Sequence, residues 1–366
     1  MLDLMNHTAG FDSGYRPDEP GRSLGDAVSR YDSFQCFEEG EVVAYSNYGA
    51  NLAAFVIEEI SGQTFSSYVQ EHILDPLGMQ SFYSDFSKVG IENGVFPEDI
   101  GPLKAKGYAR ESCVHEGDFQ EVSWYNSGWL YASGALNGNA PDLLKFANAL
   151  LDDSNHVLFK DPSTLQEMLS PSYIAKEDDT LFSNYHGFWG SNGNFEGLGH
   201  AGNTYGSSTR FIIDPSQNIA VVVLTNDADG EDITYGLVDL LLPKNYQQAD
   251  PNTLPDAREI AGDYANARGT FHHEKEYELL HIEATGVNEI TVKSSSGRVS
   301  KYKQIQPYLY ESFEDINHKI YEKNKIYFTV KDNKVVKGSK FVTSLIPISD
   351  IDVFGWYQQG LDWVYG

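Results

Sequence analysis

Three short stretches carry residue types that could do chemistry together. The first is Leu4-Met5-Asn6-His7-Thr8-Ala9-Gly10, where His7 could move a proton near neutral pH. Beside Thr8 and Gly10, the same histidine could equally be a satisfied turn residue. The second is Tyr45-Ser46-Asn47, just ahead of an apolar helix. A Tyr and an Asn two apart can point the same way on an extended loop, the phenol for proton transfer and the other to hold an amide. The competing reading is a helix N-cap, with Ser46 or Asn47 accepting the first unpaired N–H groups. The third is Gly199-His200-Ala201-Gly202-Asn203-Thr204-Tyr205-Gly206. A glycine-rich strand edge lets a substrate backbone approach closely, and His200 would offer a polar group there. The plainer alternative is an ordinary strand with a glycine bulge.

Regular elements must hold these stretches in place. Between 48 and 60, Ala50, Leu52, Ala53, Phe55, Val56, Ile57 and Ile60 recur at helical spacing, and Gly62 follows as a C-terminal cap. A second helix is predicted from Thr64 to just before Pro76, burying Tyr68, Val69 and Ile73. Asn139 should cap a third, with Pro141 in the first turn, where a missing N–H costs nothing. Strands are expected at 209–213 and 219–224 around the turn residues Asp214-Pro215-Ser216-Gln217-Asn218. The run Ile219-Ala220-Val221-Val222-Val223-Leu224 is continuously apolar, as a strand covered on both faces would be. A last helix at about 233–242 precedes a proline-rich polar linker, 249–255. Beyond it, 277–283, 289–293, 302–310 and 325–330 read as short strands of an antiparallel β domain.

Composition narrows the function classes. The 366 residues hold 53 Asp plus Glu against 26 Lys plus Arg, a net charge of −27. Residues 1–250 carry 37 acids and 12 bases; residues 251–366 carry 16 and 14. The acidity therefore belongs to the first part, and it argues against nucleic acid as a partner. Cys36 and Cys113 are too few for a disulfide scaffold or a four-cysteine zinc site. They could be free thiols or one bridge. His272 and His273 are adjacent and would point to opposite faces of a strand, so neither a metal site nor a cofactor is expected. No run approaches the roughly 20 apolar residues that span a bilayer, and the N-terminus has no basic start followed by an apolar stretch.

Taken in order, the three stretches resemble the β-lactamase and penicillin-binding-protein-like serine hydrolases: class C β-lactamases, D-alanyl-D-alanine peptidases and related esterases. That family has a Leu-x-x-His-Thr-Ser-Gly turn, matched by Leu4 to Gly10 with Ala9 in place of Ser. A Tyr-x-Asn loop follows, matched by Tyr45-Ser46-Asn47, and a Lys-Thr-Gly or His-x-Gly strand, matched by His200-Ala201-Gly202. Ser127-Gly128-Trp129-Leu130-Tyr131-Ala132-Ser133 is similar to the family's glycine-rich segment, with 134–139 slightly expanded. The likeness covers about 1–245, and 256–353 more loosely resembles a β domain that follows some members.

The resemblance implies an α+β fold, an antiparallel sheet with flanking helices, over 1–248. A linker at 249–255, a small antiparallel β domain at 256–353 and an aromatic tail at 354–366 would follow. It implies acyl transfer to water from a small-molecule or peptide amide or ester. Tyr45 would be the base or proton relay, Asn47 would hold the substrate amide, and His200 would polarise Tyr45 or bind a carboxylate. Gly202 would line the substrate strand, and the Asn203 N–H would supply half of an oxyanion hole.

One departure is large. The family's Ser-x-x-Lys nucleophile motif precedes the His-Thr-Ser-Gly turn, whereas here the only match is Ser300-Lys301-Tyr302-Lys303, on the wrong side of His200. The expectation is that the nucleophile lies outside this chain, either because Met1 is an internal methionine or because a partner chain or dimer completes the molecule. An unpaired sheet edge and an exposed apolar groove would result. The aromatics of 354–366 suit a membrane–water interface or a tail folded onto the β domain. The first reading suggests a membrane anchor beyond the C-terminus and an extracytoplasmic site. Two other classes stay open: a non-catalytic binding or sensor module that keeps the groove, and a surface interaction protein using its acidic face.

Overall fold

The computed structural model describes residues 1–14, 23–83, 104–110, 118–122, 131–152, 157–176, 181–190, 195–204, 206–271, 277–315, 324–340 and 343–348. Cys113, most of the glycine-rich segment (127–130), Tyr205, His272, His273 and the tail at 354–366 lie outside them.

Helices come first. α1 (Leu2–Met5) and α2 (Leu24–Arg30) precede α3 (Asn47–Ser61) and α4 (Phe65–Val69). Ser46 caps α3 by accepting the Gly49 N–H at 3.0 Å, and Gly62 ends it at φ 70°, a left-handed turn that glycine adopts without strain. Thr64 caps α4, which widens at Gln70–Leu74 into an i→i+5 turn before Pro76. Four short strands follow: β1 (Phe82–Tyr83), β2 (Gly107–Arg110), β3 (Phe119–Val122) and β4 (Leu136–Asn137); β1 pairs with β4 and β2 with β3. Then come α5 (Ala140–Leu151), capped by Asn139 through the Asp142 N–H at 2.9 Å, and α6 (Pro162–Met168).

The sheet that carries the third motif has five strands in sequence order: β5 (Asn184–Tyr185), β6 (Phe188–Trp189), β7 (Leu198–Thr204), β8 (Ser207–Asp214) and β9 (Ile219–Thr225). Asn218 takes φ 56° in the β8–β9 turn, and the Asp214 carboxylate accepts the Ser216 N–H at 2.9 Å. Helices cover both faces of β9, which is why it is apolar throughout. Ala220 and Val222 pack beneath α5 with Leu150 and Ile213. Val221 and Val223 pack on the other side with Ile212, Val238 and Leu242 of the region of α7 (Glu231–Leu241). Among the described residues β9 is the sheet's last strand, and Ile233, Leu237, Leu240 and Leu241 are exposed on and beside it along α7.

The remaining strands close into an eight-stranded barrel: β10 (Gly262–Asn266), β11 (Leu279–Gly286), β12 (Glu289–Ser294), β13 (Val299–Gln306), β14 (Leu309–Asp315), β15 (Lys325–Lys331), β16 (Lys334–Lys340) and β17 (Thr343–Pro347). Tyr264, Ile282, Ile290, Tyr310, Phe328 and Leu345 fill its interior, so it is packed rather than hollow. The single strand expected over 302–310 is two, broken at Tyr308 (φ 60°), because a Pro-Tyr pair does not advertise a turn. Three strands escaped notice. β10 contains Gly and Asp, β16 has a lysine at every third position, and β17 is only five residues long.

Barrel and front part meet along residues 37–44. Phe37, Val42 and Ala44 share a buried cluster with Ala265, Ala267, Phe271 and Ile346. The Ser344 N–H donates to the Val43 carbonyl at 2.7 Å, and the Val43 N–H donates to Ser344 Oγ at 3.0 Å. Asp12, 1% exposed, ties the same seam: its carboxylate accepts the Phe34 N–H at 3.1 Å and the Phe271 N–H at 3.0 Å. The chain running into Tyr45 is thus held by the barrel.

Candidate active site

The N-cap reading of Tyr45-Ser46-Asn47 is met by Ser46. Ser46 is buried and caps α3, so its neighbours on either side turn outward together, and both line a cleft of about 560 Å³. His200, Gly202 and Asn203 of β7 line the same cleft. All five residues singled out for the site therefore meet in one place.

His7 lies beneath rather than in it. Its ring is 4.4 Å from that of Tyr45, centroid to centroid. Its Nδ1 accepts the Ser46 N–H at 3.2 Å, and its backbone is left-handed at φ 57°. Burial, then the charges of His200 and Arg268, push its pKa down to about 3, so it is neutral at physiological pH. It is a satisfied turn residue that floors the tyrosine.

His200 is held differently. Only the Nδ1–H tautomer can donate to the Ala201 carbonyl, 2.5 Å away, so Nε2 carries the lone pair. Burial dominates its titration; the bond to Ala201 opposes that, Arg210 reinforces it, and the pKa falls to about 4. Trp189 covers its ring at 4.0 Å and meets Tyr45 edge-on at 5.5 Å. Among the described residues, Arg268 of the barrel is a cation beside Tyr45, its guanidinium carbon 4.7 Å from the phenol ring centroid.

β7 pairs with β8 in unbroken register from Leu198 to Thr204, without a bulge. Its glycines serve closeness instead. A Cβ on Gly199 would lie 1.9 Å from the Phe211 carbonyl oxygen, and one on Gly202 would lie 2.6 Å from Thr209 Oγ1. On its other edge β7 pairs with β6 only at Gly199, which leaves the backbone from His200 onward open to the cleft among the described residues. The Asn203 side chain is anchored by Ser208, which donates to its Oδ1 at 2.6 Å, and by Glu231.

Sequence reasoning missed several wall residues: Trp189, Ser81, Tyr83, Arg210, Tyr235 and Arg268. They sit in no motif and converge only through tertiary packing. Ser81 faces the cleft but donates to the buried Asp142 carboxylate at 2.9 Å, which also accepts the Gln80 N–H at 2.7 Å. The Ser300–Lys303 match lies on β13, where residues three apart point to opposite faces. Ser300 is buried and Lys303 exposed, so they form no nucleophile pair. Cys36 holds a free thiol, whose pKa burial and the neighbouring Asp12 push well up.

The family model described as Beta-lactamase matches residues 1–240. The chain belongs to the beta-lactamase family. An Escherichia coli O157:H7 protein described as "Putative D-alanyl-D-alanine carboxypeptidase" is 25% identical over 258 residues, covering 62% of this chain and 56% of that protein. The N-acetylmuramyl-L-alanine amidase of Bacillus subtilis (strain 168) is 20% identical over 256 residues, covering 62% and 55%. This beta-lactamase family chain thus spans about half the length of the curated relatives it matches. The crystal structure of SurE superposes with a TM-score of 0.63 at 20% identity, covering 95% of this chain and 78% of that one. That likeness is one of fold, and it extends over sheet and barrel alike. Among the described residues, no helix is long and apolar enough to cross a membrane.

Proposed function

We propose that this chain forms the substrate-binding part of a serine hydrolase that transfers an acyl group from a peptide amide or ester to water. The nucleophile would come from a Ser-x-x-Lys segment not contained in the 366 residues. The observation that carries this reading is the convergence of Tyr45, Asn47, His200, Gly202 and Asn203 on one cleft in a beta-lactamase family domain. Tyr45 would relay the serine proton, Asn47 would hold the substrate amide, and the open edge of β7 would take the substrate backbone as an added strand. His200, neutral with Nε2 as acceptor, would receive a hydrogen bond from Tyr45 or substrate rather than act as a fixed cation. The Asn203 N–H would be one of two oxyanion donors, each worth about 3 kcal/mol in the transition state. Relatives named for D-alanyl-D-alanine and N-acetylmuramyl-L-alanine bonds support a cell-wall-type peptide substrate and, with it, an extracytoplasmic site.

The test is to produce the chain with a Ser-x-x-Lys-bearing segment encoded ahead of it and expose it to a fluorescent penicillin or a fluorophosphonate. Covalent labelling that disappears on Ser→Ala at the nucleophile is expected. A folded, extended protein that takes no label would sink the catalytic reading. A second reading, a binding or sensor module, is favoured by the separation of Ser300 and Lys303 on opposite faces of β13. It predicts ligand binding by the 366-residue chain that survives Tyr45→Phe.

A further inference from the structure

α3 carries one residue that its apolar stripe does not call for. Asn51 is a poorer helix former than the alanines around it, yet it is 0% exposed. A buried amide is costly unless its oxygen and its nitrogen both find partners. Here both do, and the partners belong to two different stretches that line the cleft. Oδ1 accepts the Ala132 N–H at 3.0 Å, and Nδ2 donates to the Asn47 carbonyl at 2.8 Å. Asn47 and Ala132 are both cleft-lining residues. Because one partner is an N–H and the other a carbonyl, a single orientation of the amide satisfies both.

The 132–139 stretch meets α3 in two further ways. Tyr131 and Ala135 pack with Ala54 in a buried cluster. Seven residues on from Asn51, and so on the same helix face, the Glu58 carboxylate accepts the Tyr131 hydroxyl at 3.2 Å. Apolar packing is non-directional and holds the stretch against the helix without setting its register. The two bonds of Asn51 are directional, and the burial of the whole side chain keeps water from competing for them.

Resting on the hydrolase-type reading of the cleft, we propose that Asn51 is a positioning residue. It ties Asn47, which would hold the substrate amide, to the 132–139 stretch and fixes the spacing between them. Asn51 lines no part of the cleft itself and acts through the carbonyl of Asn47 and the N–H of Ala132.

The experiment compares the full chain with Asn51→Ala, Asn51→Ser and Val238→Ala. Val238 is 0% exposed in a separate cluster beside α7 and is not a cleft-lining residue, so its truncation controls for lost stability alone. Hydrogen–deuterium exchange over 131–139 should quicken roughly tenfold in Asn51→Ala and not in Val238→Ala, while β7 keeps its protection in Asn51→Ala. Titration with a fluorescent penicillin, followed by anisotropy, should show affinity about tenfold weaker in Asn51→Ala and within about twofold in Val238→Ala. The serine hydroxyl can still bond the Asn47 carbonyl four residues back, so Asn51→Ser loses only the tie to Ala132 and should fall between; it carries the test if the alanine variant does not fold. Equal losses of affinity in the Asn51 and Val238 variants, undiminished affinity in the Asn51 variants, or unchanged exchange over 131–139 overturns the proposal and leaves the groove reading standing. If the unsubstituted chain does not bind the penicillin, both fall.

Discussion

The imidazole of His7 and the phenol of Tyr45 pack with their ring centroids 4.4 Å apart and their planes tilted by 49°, the histidine buried and the tyrosine half-buried at the cleft. The phenol ring therefore rests on a group that is neutral when buried, and this gives the fold a pH dependence.

His7 and His200 titrate at about 3 and about 4 in the folded chain against 6.5 in the unfolded one. Folded pKa values below the unfolded value mean that stability is full above pH 6.5 and is lost as pH falls below it. At about 1.36 kcal/mol per pH unit and site, each histidine costs about 2 kcal/mol by pH 5. Urea unfolding at pH 7.5 and 5.0 should show this loss, and His200→Gln should reduce it by about half.

Ser46 is the cap that lets its neighbours face outward. Ser46→Ala should cost about 1 kcal/mol and lower the melting temperature by about 2–4 °C, whereas Ser46→Asn should restore most of it. Weakened ligand binding in the alanine variant, measured by the same titration, would show that the cap also aims Tyr45 and Asn47.

Two glycines should respond oppositely to the same change. Gly199→Ala places a Cβ 1.9 Å from the Phe211 carbonyl, so β7 must shift, and we expect a loss of about 2–4 kcal/mol. Gly236 lies in exposed α7, with nothing within 4 Å of a built Cβ. Gly236→Ala should stabilise by about 0.5–1 kcal/mol. Thermal denaturation of both variants decides the matter, and equal effects would contradict the register described for β7 and β8.

Asp12 joins the front part to the barrel by accepting N–H groups from both. Asp12→Ala leaves those buried donors unpaired, at about 1–3 kcal/mol each. We expect marked destabilisation together with weaker ligand binding, read by denaturant unfolding and titration. Stability lost without any change in binding would show that the seam does not position the cleft.

What could be read from the residues was whatever repeats or caps locally. The spacing from Ala50 to Ile60, with Gly62 after it, is a helix and its stop; Asn139 with Pro141 is a helix start; Asp214 to Asn218 is a turn. Tyr45, Asn47 and His200 were legible because each sits in a short motif of fixed order. Arg268 was not, because nothing in Ala267-Arg268-Gly269 hints that a barrel loop lies against a tyrosine more than two hundred residues earlier. Barrel closure was hidden for a similar reason: β10 and β17 pair across the whole domain, and neither Gly-Asp-Tyr-Ala-Asn nor Thr-Ser-Leu-Ile-Pro shows the alternation that marks a half-buried strand.

The reciprocal hydrogen bonds between Val43 and Ser344 join residues 301 apart in sequence. Synthesis at about 5–20 residues per second separates their emergence by roughly 15–60 s. During that interval the tyrosine loop exists without the strand that pins it, and the cleft lacks Arg268 from its wall. A nascent chain therefore cannot fix the cleft wall at Tyr45, however early the motif residues appear. The seam between front part and barrel forms only after both of its segments have been made.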